Sequence, residues 1–139
     1  MKKLSDWEAR FHQFLVANRR KPFAWGEWDC CIFTNAAVRE MTGEDLIPDE
    51  LHWTDQVTAM QAIERYGKTL GMSVQKAALA AGLETIDPTN VTKGDVVVVK
   101  EEGGQVAGIC DGFAILCPSD EGYTYKPIGN AQKVFRIHG

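Results

Sequence analysis

Cys30 and Cys31 stand side by side in the stretch PFAWGEWDCCIF, where aromatic residues and a glycine lead through an aspartate into a helix-like run. A thiol in such a place serves as a nucleophile, as a soft-metal ligand, or as small apolar filler in a core. A cysteine at a helix start sits among unpaired backbone N–H groups at the positive end of the helix dipole, which favours the thiolate. The same N–H groups can hold the oxyanion of an attacked carbonyl. Position therefore makes Cys30 the candidate nucleophile, with Cys31 directed elsewhere around the helix. Trp25 and Gly26 offer a tight, aromatic-walled approach. Asp29 opposes a neighbouring thiolate unless its charge is taken up in capping. Trp25, Gly26 and Asp29 are the candidate substrate-binding residues, and the competing reading is a buried cysteine at a helix–sheet contact.

The remaining chemistry-bearing side chains are few. Cys110 and Cys117 complete a set of four cysteines whose spacing lacks the repeated two-residue gaps of zinc ribbons, so reduced thiols, no metal and no cofactor are expected. The three histidines, His12, His52 and His138, are far apart in the chain. His12 reads as a surface or interface residue, His52 as a packing or turn residue, and His138 as part of the C-terminal end.

The elements that must position these residues divide into two unlike halves. Ser5 and Glu8 form a capping-box signature, and Trp7, Phe11, Phe14 and Leu15 follow at helical spacing. The pattern predicts a second helix over Cys30–Met41, stopped by Gly43, and a third over Thr54–Tyr66 carrying Val57, Met60 and Ile63. A short fourth helix is expected over Ser73–Ala81, starting at a serine cap and ending at Gly82. After the Asp87-Pro88 turn the period changes. Val96–Val99 reads as a buried strand, Gln105–Cys110 as its return, and Asp111-Gly112 as a two-residue hairpin turn into Phe113–Cys117. Tyr123–Lys126 and Val134–Ile137 close a meander. Helices followed by about five antiparallel strands give an α+β fold, read as one domain over residues 1–139.

Composition bounds the partners. The 139 residues carry a formal charge of −4, against the basic face a nucleic-acid binder needs. No run approaches the ~18 apolar residues of a membrane span. The opening Met1-Lys2-Lys3-Leu4 runs into Ser5, Asp6, Trp7 and Glu8, so no secretory leader is expected. Trp25, Trp28 and Trp53 cluster in the helical half and read as core, or, if exposed, as a protein-binding surface.

Three motifs resemble, in order, those of the NlpC-type cell-wall peptidases, a compact papain-like family. FAWGEWDCCIF resembles the entry to that family's catalytic helix, KGDVVVV its Gly-Asp and apolar strand, and VAGICDG its next strand, which normally reads His-Val-Gly-Ile. The likeness covers most of Pro22–Cys117. It is strongest to a divergent branch among bacteriophage tail genes, whose closing Gly-x-x-x-x-Pro stretch and aromatic-Arg strand would here be Gly122–Pro127 and Phe135-Arg136. The resemblance implies an NlpC-like, papain-type fold and a tail or tail-tip protein, made in the host cytoplasm and carried in the virion. It implies other tail proteins as partners, or peptidoglycan if the chain is an active endopeptidase with Cys30 as nucleophile. It also exposes a departure. Val106 occupies the position of the family's catalytic histidine, and Gln105 beside it has no useful basicity. The family's third catalytic position falls near Cys117. Because alternate strand residues share a face, Cys30, Cys110 and Cys117 are expected either to converge as a soft-metal or redox site or to remain separate buried thiols.

Overall fold

The computed structural model describes all 139 residues. Four helices, α1 (Trp7–Ala17), α2 (Cys30–Thr42), α3 (Gln56–Gly67) and α4 (Leu70–Ala80), precede six strands. The strands are β1 (Glu84–Ile86), β2 (Val96–Glu101), β3 (Gly104–Cys110), β4 (Ile115–Ser119), β5 (Gly122–Lys126) and β6 (Ala131–Arg136). They form one sheet in the order β1-β6-β2-β3-β4-β5, with every neighbouring pair antiparallel. The α+β class is therefore as expected, with one strand more.

Helix α2 follows its local signals closely. Asp29 caps its start, and Gly43, in the left-handed region at φ 81°, gives its N–H to Arg39 O at the end. The other helix starts are shifted. The Ser5–Glu8 capping box does not form: Asp6 takes the cap position without a side-chain cap bond, and its carboxylate accepts from Arg10 Nε at 3.0 Å. Helix α3 opens at Asp55, which accepts from Thr58 N at 2.8 Å. It buries Ala59 and Ala62, while Val57 and Met60 are exposed. Thr69, not Ser73, caps α4. Ser73 instead donates its hydroxyl to Ile63 O at 3.0 Å, tying α4 to α3.

In the sheet, β1 is the element the sequence hid, three residues long and beside Asp87-Pro88. Its backbone pairs with β6 from Glu84 opposite Arg136 to Ile86 opposite Val134. The turn after β3 is longer than a two-residue hairpin because Asp111 Oδ1 accepts from both Phe113 N and Ala114 N at 2.8 Å. That leaves Phe113 outside β4 and 89% exposed.

The uninterrupted Val96–Val99 run has a physical cause: both faces of β2 are buried, so no alternation is needed. Val96 and Val98 face the helices with Ile109, Phe135, Phe33 and Met41. Val97 and Val99 face a second cluster with Cys110, Ile115, Cys117 and Val134. Asp95, fully buried just before β2, accepts both Nε and Nη2 of Arg136 on the adjacent β6, at 3.0 and 2.8 Å. Trp28 belongs to the helix-side core, edge-on to Phe33 at 5.5 Å.

Candidate active-site cleft

The mouth of α2 is held by one carboxylate. Asp29 is 2% exposed, and its Oδ1 accepts from Ile32 N at 3.0 Å. Its Oδ2 accepts from Gly26 N at 3.0 Å and from Trp53 Nε1 at 2.7 Å. Gly26 is required in this turn. At φ 77° its backbone is in the region L residues avoid, and a Cβ there would lie 2.8 Å from the Thr54 backbone. Asp29 thus locks the aromatic-Gly loop, the helix start and the segment before α3 together. Its charge is spent on three donors, so its place is structural even though it borders the cleft. Asp29→Ala orphans those donors and is expected to cost about 2–3 kcal/mol, with Asp29→Asn losing about half as much. Urea unfolding followed by tryptophan fluorescence measures both.

Cys30 is the first residue of α2 and is half-buried in a cleft of about 350 Å³. Phe23, Trp25 and Trp53 wall one side, and Val106, Cys117 and Pro118 lie on the sheet side. Phe23 and Trp25 meet edge to face at 4.9 Å. The Glu101–Lys126 ion pair, at 2.8 Å, closes the polar end. Hydrogen bonding to Glu101 pushes the Lys126 ammonium pKa up.

A gap in the sheet brings the sulfur in. Pairing of β3 with β4 is confined to Ile109–Leu116 and Cys110–Ile115, so β3 has no strand partner on that side at Ala107. The Ala107 carbonyl accepts from Cys117 Sγ at 3.4 Å, and the Ala107 backbone amide is among the groups that lower the Cys30 pKa. A hydrogen bond from the Cys31 thiol is the largest influence holding Cys30 below the ordinary thiol range. Burial and the Asp29 charge pull the other way without reversing it. Cys31 is pushed well up, first by that same hydrogen bond and then by burial. Burial raises Cys117 to about 12.

The structure brings together Cys30, Trp25, Val106 and Cys117 and leaves out two residues expected with them. Gly26 does not border the cleft, because its turn packs behind Asp29. Cys110 lies on the sheet face away from the main helix-side core, its sulfur accepting from Gly112 N at 3.4 Å. The Cys30–Cys110–Cys117 convergence is therefore not formed, and no three His, Cys, Asp or Glu side chains surround a common metal position. The third cleft thiol is Cys31, which lies against Cys30 rather than elsewhere around the helix. All four thiols are free. The doublet itself was the available signal for Cys31, and the tryptophan cluster of the helical half for Trp53; nothing local marked the Glu101–Lys126 pair.

No imidazole reaches the cleft. His12 is exposed on α1 near Asp111 and Phe113, His52 is exposed on a groove with Asn35 and Arg39, and His138 is exposed beside Lys3. Gln105 is committed elsewhere, its amide bridging Gly71 N at 2.8 Å and Gln132 Oε1 at 3.0 Å.

A family model described as "Domain of unknown function (DUF6950)" matches residues 2–137. The chain belongs to that family. The match runs from before α1 to just past β6, so every cleft residue lies within the family's domain. No curated protein matches the chain.

Proposed function

We propose that this member of the DUF6950 family is a degenerate NlpC-like, papain-type domain that serves as a bacteriophage tail or tail-tip component, acting through contacts with other tail proteins in the virion. The observation that carries the loss of peptidase chemistry is the cleft without an imidazole, with Val106 lining it at the family's histidine position. Amide hydrolysis by a thiol needs a base to take the proton and the same group, as acid, to return it to the leaving amine. Neither Val106 nor the committed Gln105 does either. The tail assignment rests on the order of motifs quoted above, and the exposed Phe113, Tyr125 and Val16 around the β3–β4 loop suit a protein contact. No helix is long and apolar enough to cross a membrane.

A second reading, a cell-wall endopeptidase using Cys30, is favoured by the position of that thiol, which opens α2 and lines the aromatic-walled cleft, with its pKa below the ordinary thiol range through the Cys31 thiol. Incubation with purified peptidoglycan, beside a Cys30→Ser control, separates the two. The degenerate domain releases no more soluble fragments than its control. Release that depends on Cys30 establishes the endopeptidase. Mass spectrometry of purified virions tests the tail assignment, which fails if the protein is absent from the particle.

A further inference from the structure

The sheet ends in two unlike edges. Strand β1 is three residues long and runs into Asp87-Pro88, and shortness and proline are both ordinary ways of blunting an edge. Strand β5 has five residues, no proline, and a single charge, Lys126, which is turned to the cleft and paired with Glu101. The pairing register fixes its free side. Cys110 is bonded towards β2, its N–H donating to Asp95 O at 3.0 Å and its carbonyl accepting from Gly94 N at 2.8 Å. Alternation along antiparallel strands then turns Ile109 to Leu116, and turns Ile115 and Cys117 to Lys126 and Thr124 on β5. Pro118 fits this phase, since its missing N–H falls on the β3 side, where the strands have already parted. Tyr123 and Tyr125 therefore point their backbone N–H and C=O groups away from the sheet, where no group of the chain bonds them. Beside this edge, on the α1 side, lies a groove of about 300 Å³ lined by Val16, Phe113 and Tyr125, the last 63% exposed, with Arg19 and Asp111 of opposite charge.

We propose that β5 is a homodimerisation edge: a second copy of this chain lays its own β5 antiparallel against it across a two-fold axis at Thr124, joining the sheets into one with six strands from each copy. A second copy is selected because the edge is its own complement. With Thr124 opposite Thr124, Tyr123 of each chain stands opposite Tyr125 of the other, and each such pair exchanges both N–H···O=C bonds. The same register sets Lys126 opposite Gly122, so the only charge on the strand meets no like charge. Centring the axis on Tyr125 instead sets Tyr123 against Pro127, which has no N–H to give. The two threonines meet at a non-hydrogen-bonded position, where cross-strand side chains come closest. On the α1 face, Tyr125 of one copy lies beside Tyr123 of the other, extending the edge-to-face contact at 6.5 Å that the two rings make within each chain. Exposed aromatic surface and unpaired backbone thus leave water together. Dimerisation goes beyond the tail-component reading and does not depend on it.

Sedimentation velocity of the intact chain over roughly 1–300 μM, a range that spans the association expected of an interface of modest size, is expected to show a monomer–dimer equilibrium. Tyr125→Pro removes one outward N–H and no bond to β4, so it is expected to raise the dissociation constant by at least about tenfold with the circular dichroism unchanged. Thr124→Lys and Thr124→Glu place like charges on the axis, and each alone is expected to be monomeric. Mixed in equal amounts, these two variants are expected to dimerise again, a recovery that a merely structural effect of either substitution does not give. A natively folded chain that stays monomeric throughout overturns the proposal, including one that pairs only with a strand from another protein. So does a dimer that Tyr125→Pro leaves as tight as before, or a mixture of the two Thr124 variants that does not associate. Mass spectrometry of virions is blind to all of these outcomes, so the dimer and the tail assignment stand or fall separately.

Discussion

Replacing Arg136 with methionine is expected to destabilise the fold by about 4 kcal/mol, more than replacing its partner Asp95 with asparagine, which is expected to cost about 2 kcal/mol. The asymmetry follows from exposure. The Asp95 side chain is fully buried, whereas Arg136 retains 30% of its side-chain surface. Removing the guanidinium leaves a buried carboxylate with the Thr92 N–H at 2.8 Å and a long contact to the Thr92 hydroxyl at 3.4 Å. Lys3, close enough for Asp95 to oppose the burial that lowers its pKa, compensates only in part. Methionine keeps the apolar stem, so the loss reports the charge and not the packing. In Asp95→Asn the guanidinium reaches water and keeps its bonds to Asn90 O at 2.9 Å and Thr92 Oγ1 at 3.0 Å. The double variant is expected to be more stable than the sum of the two losses by about 1.5 kcal/mol, because neither charge is then stranded. Urea unfolding of the four proteins measures the cycle. Additive losses, or an Arg136→Met variant within about 1 kcal/mol of the parent, would contradict the account.

Alkali is expected to unfold the protein well before its backbone is affected, through the buried thiols. Cys117 ionises at about 12 in the fold against an ordinary value of 9.0, because burial disfavours the thiolate. Below pH 9 the thiol is protonated in both states and its contribution is complete. Above that the unfolded chain sheds the proton and the folded chain does not, so stability falls by about 1.4 kcal/mol per pH unit until the folded value is passed. At pH 11 Cys117 alone removes about 2.7 kcal/mol. Cys110 and Tyr123, both raised first by burial, act in the same direction. So does Cys31, raised first by its bond to Cys30. Cys30, held down by the Cys31 thiol, acts in the opposite sense, adding stability as pH rises towards the ordinary value. Urea midpoints taken between pH 8 and 11 should therefore fall steeply over the upper half of that range. Cys117→Ala should start lower, from the lost packing, and decline less. An identical decline with and without Cys117 would remove this explanation.

The features the sequence determined by itself are those whose causes lie within a turn or a strand of the residue concerned. Asp29 and Gly43 bracket α2 because a cap carboxylate and a left-handed glycine act on backbone groups three or four residues away. The Val96–Val99 run declares a strand buried on both faces, and Cys30 is placed at the helix mouth by the same local rules. Where two local signals competed, spacing alone could not choose: Asp6 displaced Ser5, Thr69 displaced Ser73, and Asp111 turned a hairpin into a longer loop. The partnerships were beyond it. Trp53 meets Asp29 across 24 positions, and Arg136 meets Asp95 across 41. The second of these joins the Gly-Asp and aromatic-Arg motifs, which read as separate marks in the chain. The cysteines divide the same way. Cys110 and Cys117 are buried in one cluster, yet only Cys117 also reaches the cleft, because β3 and β4 part after Ile109–Leu116 and open a gap beside Ala107. Which thiols meet is thus set by how strands pair and separate, a property of the assembled sheet that no residue carries in its neighbours.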